Sequence, residues 1–205
     1  MKLFWSSRSP YVRKVMIVAH EKGLAGVLQT ERVVVSPAKP NLAVMAHNPL
    51  SKIPTLILDD GSALYDSRVI AEYMDSVGTG SQLFPIGPSR ISTLRRQALG
   101  DGMLDFLLPW LLERIRPAEK QVSELFAASR LKLKTTLDHL EANEAVELAR
   151  APLDIGHIAI GSALGYADFR YADEAWRKGR PRLADWHAGF AERPSFKATE
   201  HINEY

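Results

Sequence analysis

The stretch NPLSKIPTLILDDG, residues 48–61, decides how the first part of this chain folds. Its apolar run at 55–58 predicts a short strand, and the DDG that follows predicts a turn into a second, antiparallel strand. Proline cannot donate to a sheet ladder, so Pro54 belongs at the start of a strand or on an edge. A cis Ile53–Pro54 bond would turn the N–H and C=O of Ile53 outward, where a short extended peptide could add as a strand.

Outward from that stretch, residues 1–77 alternate between strand and helix patterns. Ser9 is a good N-cap, Pro10 a good first helical residue, and Asp66-Ser67 caps a later helix. The strand–helix–strand start favours a parallel pair of strands, to which the hairpin adds antiparallel ones. In order, the patterns predict a strand at 2–5, a helix at 10–22, a strand at 28–35, helical turns at 42–46, the hairpin and a helix at 68–77.

Residues 78–88 are rich in glycine and proline, and we expect the domain linker there. Beyond the linker the pattern is helical almost throughout. The third helix of this region is mostly apolar, which predicts burial. The predicted helices run from 89 to about 116, 119 to about 148, 154 to about 171, 182 to 192 and 195 to about 200.

The composition excludes several classes of protein. The chain has 205 residues, a formal net charge of +2 and no cysteine. A charge this small does not favour nucleic acid as a partner. Because the chain has no cysteine, it can form no disulfide scaffold and has no thiolate nucleophile of its own. We see no apolar run long enough for a signal peptide or a membrane span, and we expect a cytoplasmic protein that does not bind membranes. The six histidines show no metal-ligand spacing, so no metal site is predicted.

Three segments together resemble the cytosolic glutathione transferases. They are NPLSKIPTLILDDGSALYDSRVIAEYM at 48–74, SPYVRKVMIVAHEKGL at 9–24 and PRLADWHAGFAERPSFKAT at 181–199. The resemblance covers essentially the whole chain. It implies a thioredoxin-like α/β domain at 1–77, a linker at 78–88 and an all-α domain at 89–205.

The same resemblance implies a glutathione site on the first domain. In the family, an Ile/Val–cis-Pro pair grips the cysteinyl backbone of glutathione, which assigns that role to Ile53 and Pro54. Asp66 and Ser67 would hold the γ-glutamyl group, because a carboxylate and a hydroxyl beside helix N–H groups suit an ammonium and a carboxylate. A plain helix cap is the alternative for this pair, and both roles can hold at once. Lys52 would pair with the glycyl carboxylate, or else is a solvated lysine.

Ser9 is the candidate activating residue. A thiol of pKa about 8.5 is only about 3% ionised at pH 7, so the enzyme must stabilise the thiolate. A hydroxyl donor at the positive end of a helix can supply this, and serine-type members of the family carry their serine in this loop. Most serines in such positions only cap the helix. Ser6 and Ser7 are alternatives for the same role.

Aromatic residues would face the ligand sulfur and bind a second, apolar and electrophilic substrate. For each of them the alternative is a place in the core. Trp110 and Tyr11 are favoured by their family position. The candidates are Trp5, Tyr11, Phe106, Trp110, Tyr166 and Phe169.

One departure from the family occurs at the third helix of the second domain. The family opens that helix with Ser/Thr and an Asp three residues later, a capping box. Here Asp154 takes the cap and His157 the later place, so we expect the reciprocal bond of the box to be weakened or lost. We expect Arg95 and Arg96 to lie on a solvated or intersubunit helix face.

The resemblance implies a bacterial serine-type glutathione transferase that uses glutathione as co-substrate and forms a homodimer. A second hypothesis is a non-enzymatic binding or stress-response protein of the same fold, such as the stringent starvation proteins. A third is a glutathione-dependent isomerase or dehalogenase, which would differ only in the wall of the second-substrate pocket. Fold alone does not choose among them.

Overall fold

The computed structural model describes residues 1–203, which form two compact units. The first unit contains Met1–Thr93 and the chain from Pro194 onward, and the second contains Leu94–Arg193. The terminal segment therefore packs with the α/β unit, although the sequence groups it with the helices at 89–205. The predicted α/β architecture followed by a helical region is confirmed.

The secondary structure follows the predicted order. Four strands and three helices precede the long helix α4. The elements are β1 (Lys2–Trp5), α1 (Pro10–Glu21), β2 (Gln29–Arg32), α2 (Leu42–Met45), β3 (Thr55–Ile57), β4 (Ala63–Leu64), α3 (Ser67–Val77), α4 (Ser89–Arg114), α5 (Ser123–His139), α6 (Ala145–Arg150), α7 (Ile155–Arg170), α8 (Pro181–Ala191) and α9 (Pro194–Lys197).

The sheet of the first unit has the strand order β2-β1-β3-β4. β1 runs parallel to β2, while β3 is antiparallel to both β1 and β4. β2 is shorter than the predicted 28–35, and all four of its residues are exposed. The next residue, Val33, still donates its N–H to the Trp5 carbonyl at 3.0 Å, and its side chain packs in the core cluster. The parallel pair and the hairpin are as predicted.

Helices α1 and α3 bury the apolar stripes that the sequence pattern predicts. At the ends of these helices, the Lys22 ammonium lies 3.0 Å from the Asp75 carboxylate, and both side chains are buried. Asp75 also accepts hydrogen bonds from the backbone N–H groups of Leu83 (2.9 Å) and Phe84 (3.0 Å). This buried pair therefore fixes the chain that follows α3.

In the second unit, α7 is buried from Ile155 to Ala167, as its apolar composition predicts. α4 approaches α7 closely at Gly100. A Cβ added there would lie 2.5 Å from the carbonyl carbon of Ala159, so only glycine allows this backbone contact. Two residues further along α4, a Cβ on Gly102 would meet nothing within 4 Å.

The predicted helix 119–148 is in fact four segments. A 3-10 turn at Ala118–Lys120 precedes α5, and a π-helical turn at Leu140–Glu144 separates α5 from α6. No glycine or proline marks this turn, so helical composition concealed it. The turn brings the buried Glu144 carboxylate to Arg95 (2.5 Å) and Arg96 (3.6 Å).

Within residues 1–203, every helix is too short or too polar to cross a lipid bilayer.

Candidate functional site

The candidate site residues of the first unit meet at one end of the sheet. Because β1 and β3 are antiparallel with Phe4 opposite Thr55, the loop after β1 lies beside the start of β3. Because β3 and β4 are antiparallel with Leu56 opposite Leu64, the end of β4 reaches that same edge. The loops that lead from β1 to α1 and from β4 to α3 therefore start at this same edge of the sheet.

Ile53 presents an unused main-chain edge at this end of the sheet. The Ile53–Pro54 bond is cis. The Ile53 side chain packs against the core cluster that contains Phe4 and Ile57. Within residues 1–203, the N–H and C=O of Ile53 have no hydrogen-bond partner. The anchored side chain thus leaves a donor and an acceptor available to an extended ligand.

The Asn48 side chain holds the chain around Ile53 through hydrogen bonds, a role that the sequence did not suggest. Its side chain is buried, and its amide nitrogen donates to the Lys52 carbonyl (3.2 Å) and to the Thr55 hydroxyl (2.9 Å). The Thr55 hydroxyl donates to the same carbonyl at 2.8 Å, and the Asn48 oxygen accepts from the Leu50 N–H at 3.0 Å. An Asn-Pro pair signals a turn, but only the fold reveals the partners of the amide.

Asp66 and Ser67 open α3, as predicted. The Asp66 carboxylate accepts a hydrogen bond from the Arg68 N–H at 2.9 Å and is exposed, whereas Ser67 is buried. Among the described residues, Arg68 provides the one hydrogen bond to this carboxylate. Oxygen lone pairs therefore stay available beside the N-terminus of an 11-residue helix.

The three candidate serines lie in one turn between β1 and α1. Ser9 caps α1: its hydroxyl oxygen accepts from the Val12 N–H at 3.3 Å. Its own N–H donates to the Ser6 carbonyl at 3.2 Å, which closes the turn. A capping hydroxyl that accepts from the backbone keeps its hydrogen available for another acceptor. Ser7 instead donates its hydroxyl hydrogen to the Ile202 carbonyl at 3.0 Å.

The remaining predicted residues of the first unit are accessible but less constrained. Lys52 is exposed, and no ion pair to it occurs among the described residues. Trp5 ends β1 and Tyr11 lies in the first turn of α1, both partly buried.

The aromatic candidates of the second unit differ in exposure. Trp110 is buried, and its ring stacks on Tyr171 with 4.6 Å between centroids. Tyr166 is buried in α7, and desolvation raises its pKa to about 12, so its phenol stays protonated at neutral pH. Phe106 is partly buried and lines a cavity of about 400 Å³ between α4 and α5. Phe169 is partly buried beside Tyr166.

The expectation for the two arginines of α4 is right for Arg95, whose side chain is 67% exposed, and wrong for Arg96. Arg96 is not solvated: its guanidinium is buried and lies 3.2 Å from the Asp154 carboxylate. His157 does complete a capping box: the Asp154 N–H lies 3.2 Å from its Nδ1, and the His157 N–H donates to the Asp154 carboxylate at 3.0 Å. The same Nδ1 also lies 2.6 Å from that carboxylate. A ring nitrogen thus replaces the carboxylate that the box normally uses.

Together, the sheet edge offers a backbone donor and acceptor, an exposed carboxylate, a capping hydroxyl and the N-termini of two helices. The helix N-termini carry partial positive charge and favour an anion. This arrangement can hold a short extended peptide and stabilise a negative atom next to α1.

Models of two protein domains match the chain. Residues 8–77 match the glutathione S-transferase N-terminal domain, and residues 120–189 match the C-terminal domain.

Two relatives match over nearly the whole chain, and a third matches over about half of it. A glutathione transferase family member from Pseudomonas fluorescens Pf-5, solved with bound glutathione, is 40% identical, with 98% of each chain covered and a TM-score of 0.94. The uncharacterized GST-like protein YibF of Escherichia coli K12 is 33% identical over 98% of both chains. A stringent starvation protein A homolog from Pasteurella multocida is 37% identical, but over 46% of this chain and 45% of its own length.

Proposed function

Because the chain belongs to the glutathione S-transferase family, we propose that it binds glutathione along Ile53 and transfers it to an electrophilic, mostly apolar substrate. The observation that carries this proposal is the unpaired main-chain edge of Ile53, which lies at the same end of the sheet as the first turns of α1 and α3. The cysteinyl backbone of glutathione would add to that edge as a strand.

The ends of the tripeptide would be held by charge. Asp66 would accept from the γ-glutamyl ammonium, and the start of α3 at Ser67 would donate to the γ-glutamyl carboxylate. Lys52 would pair with the glycyl carboxylate in solvent, where such a pair contributes about 1 kcal/mol at most.

Ser9 would stabilise the thiolate. Lowering the pKa of the thiol from about 8.5 to about 6.5 requires about 2.7 kcal/mol. A hydrogen bond to a charged group contributes about 1.5–3 kcal/mol, and the N-terminus of α1 adds about 0.3–1 kcal/mol. The thiol proton goes to solvent as the thiolate forms. The thiolate then attacks the electrophilic carbon, a C–S bond forms, and the bond from that carbon to the leaving group breaks, with its electron pair departing on the leaving group.

The decisive test is turnover of a chromogenic electrophile from pH 6 to 9. Ser9→Ala should lose about ten- to a hundredfold in rate at neutral pH and recover part of it as the pH rises. Ser9→Gly is the matched control, since glycine caps a helix nearly as well as serine but lacks the hydroxyl. Equal losses in both variants would assign the effect to the hydroxyl and not to the cap.

Ser6→Ala and Ser7→Ala determine which serine acts. If Ser9→Ala keeps wild-type turnover while one of these loses it, the catalytic role moves to that residue. If all three stay active, backbone N–H groups alone stabilise the thiolate and the serine mechanism is wrong.

A second candidate is a binding or stress-response role without turnover, which the partial likeness to a stringent starvation protein A homolog favours. Calorimetry tests glutathione binding, and turnover of a panel of electrophiles separates the two roles. An enzyme must bind glutathione and consume an electrophile, whereas the alternative predicts no turnover with any electrophile in a panel. Product analysis separates transfer from isomerisation or dehalogenation at the same site.

We also propose that the protein is a homodimer that detoxifies electrophiles in the cytoplasm, where thiols are kept reduced. The groove between α4 and α5 is mostly apolar, and Leu131 on its rim is 65% exposed. Leu131→Glu should give a 22.8 kDa species in sedimentation at micromolar concentration, while Leu125→Glu, at an exposed position on the same helix, should not. A wild-type protein that sediments as a monomer would contradict the dimer.

A further inference from the structure

The end of the chain returns to the turn that carries the three candidate serines. We propose that His201 is a positioning residue for this turn: it holds the Ser6–Ser9 loop, and with it the Ser9 hydroxyl, in the place that thiolate stabilisation requires. The inference rests on the proposed function, because it assigns a role to a residue outside the glutathione contacts.

α9 is anchored along α1 before the chain reaches the turn. The Arg13 guanidinium donates to the Phe196 carbonyl at 3.2 Å and lies 3.8 Å from the centroid of the Phe196 ring. At the other end of α1, the Ser195 hydroxyl donates to the Glu21 carboxylate at 2.5 Å. Both attachments involve buried or partly buried groups, so the segment after α9 starts from a fixed point.

Two hydrogen bonds then join the tail to the turn. His201 Nδ1 lies 2.9 Å from the Ser7 carbonyl oxygen, and the Ser7 hydroxyl donates to the Ile202 carbonyl at 3.0 Å. Because a carbonyl only accepts, Nδ1 must carry the hydrogen. His201 is 8% exposed, so water is largely kept away from this bond.

The position of Ser7 explains why these bonds reach the site. The turn runs from Ser6 to Ser9 and is closed by the Ser9 N–H, which donates to the Ser6 carbonyl. Ser7 is a central residue of the turn, and the tail holds it from both its carbonyl and its hydroxyl. Displacing a reacting group by about 1 Å can cost about a hundredfold in rate, so a loop released from the tail should lose catalytic power while glutathione stays bound.

The experiment measures the pKa of the bound glutathione thiol by ultraviolet absorbance of the thiolate, together with kcat and KM. His201→Ala removes the donor, and His201→Asn is the conservative variant, because its amide nitrogen can occupy the place of Nδ1. Ile202→Ala is the matched control on the tail, since its carbonyl, the group that accepts from Ser7, is retained.

We expect His201→Ala to raise the pKa of the bound thiol toward the value in Ser9→Ala and to lower kcat about tenfold. KM for glutathione should stay within about twofold, since the Ile53 and Asp66 contacts are untouched. His201→Asn should restore most of kcat, and Ile202→Ala should match the wild type. A merely structural histidine would lower stability without moving the thiol pKa.

If His201→Ala does not fold, Ser7→Ala tests the same connection from the turn and should raise the thiol pKa in the same direction. A thiol pKa that is unchanged in Ser7→Ala would then overturn the proposal.

The two proposals fail in different ways. A wild-type protein that does not bind glutathione overturns both. If Ser9→Ala raises the thiol pKa but His201→Ala leaves it at the wild-type value, only the role of His201 is overturned.

Discussion

Two aspartates open helices in this protein, Asp66 before α3 and Asp154 before α7, and their surroundings differ completely. The Asp66 carboxylate is exposed and accepts one hydrogen bond from Arg68. The Asp154 carboxylate is buried between the His157 backbone and the Arg96 guanidinium. The same local sequence device therefore leaves a carboxylate available to a ligand in one unit and uses it up for folding in the other.

The largest expected effect is the loss of stability when Asp154, the buried cap, is replaced. Asp154→Ala should lower the free energy of unfolding by about 3–5 kcal/mol, because it leaves Arg96 buried without this partner and also removes the cap of α7. Urea unfolding measures the change. Asp154→Asn keeps the capping oxygen but not the charge, and should cost less. A loss below about 1 kcal/mol for the alanine variant would show that Asp154 contributes no more than an ordinary surface cap.

Replacing Asp66, the exposed cap, should weaken ligand binding more than it lowers stability. Asp66→Ala should raise the dissociation constant for glutathione by about tenfold or more, since a hydrogen bond between charged groups contributes about 1.5–3 kcal/mol. Its cost in stability should be only about 1 kcal/mol, that of a lost cap. Calorimetric titration and urea unfolding of the same variant give both numbers.

Asp66→Asn is the control for charge, because it retains the cap. Unchanged glutathione affinity in both variants at this position would remove Asp66 from the site and end the contrast with Asp154.

The smallest expected effect is on how the free energy of unfolding depends on pH under acidic conditions. Like Asp154, Glu113 uses its carboxylate inside the fold. The carboxylate accepts a hydrogen bond from the Val122 N–H at 2.7 Å, and this bond lowers the pKa of Glu113 below the usual 4.5. A carboxyl whose pKa is lower in the folded state stabilises that state above about pH 4.5 and loses this contribution as the pH falls through the folded value. Glu113→Gln should therefore make the unfolding free energy less dependent on pH below about 4.5.

The measurement is urea unfolding at several pH values between about 3 and 6. A Glu113→Gln curve parallel to the wild type would contradict the structural role of that carboxylate.

The sequence predicted what depends on neighbours along the chain. The place of Pro54 directly before β3, the Ser9 cap of α1 and the Asp66 cap of α3 all follow from residue types at adjacent positions, and each is observed. The cis form of the Ile53–Pro54 bond was expected from the family resemblance. The buried face of α7 follows equally from its composition.

What the sequence did not reveal depends on distant partners or on unusual chemistry. His157 accepts a hydrogen bond through a ring nitrogen, a use that the usual capping pattern does not include. The tail reaches Ser7 across 195 positions, and such a contact leaves no periodic signal. The sequence pattern does not distinguish Arg96 from an exposed helical arginine. Its buried contacts with Glu144 and Asp154 arise only because the π-helical turn and α7 lie next to it in the fold.

Gly100 has a consequence for how this sequence can vary. Alanine is usually the best helix former, about 1 kcal/mol better than glycine, so a library of substitutions in α4 should favour it. At Gly102, where a methyl group would meet nothing, alanine should indeed be enriched under selection for thermal tolerance. At Gly100 the same methyl group would collide with the backbone of Ala159, and alanine should disappear from the surviving population. Two glycines two positions apart in the same helix should therefore respond to alanine in opposite ways.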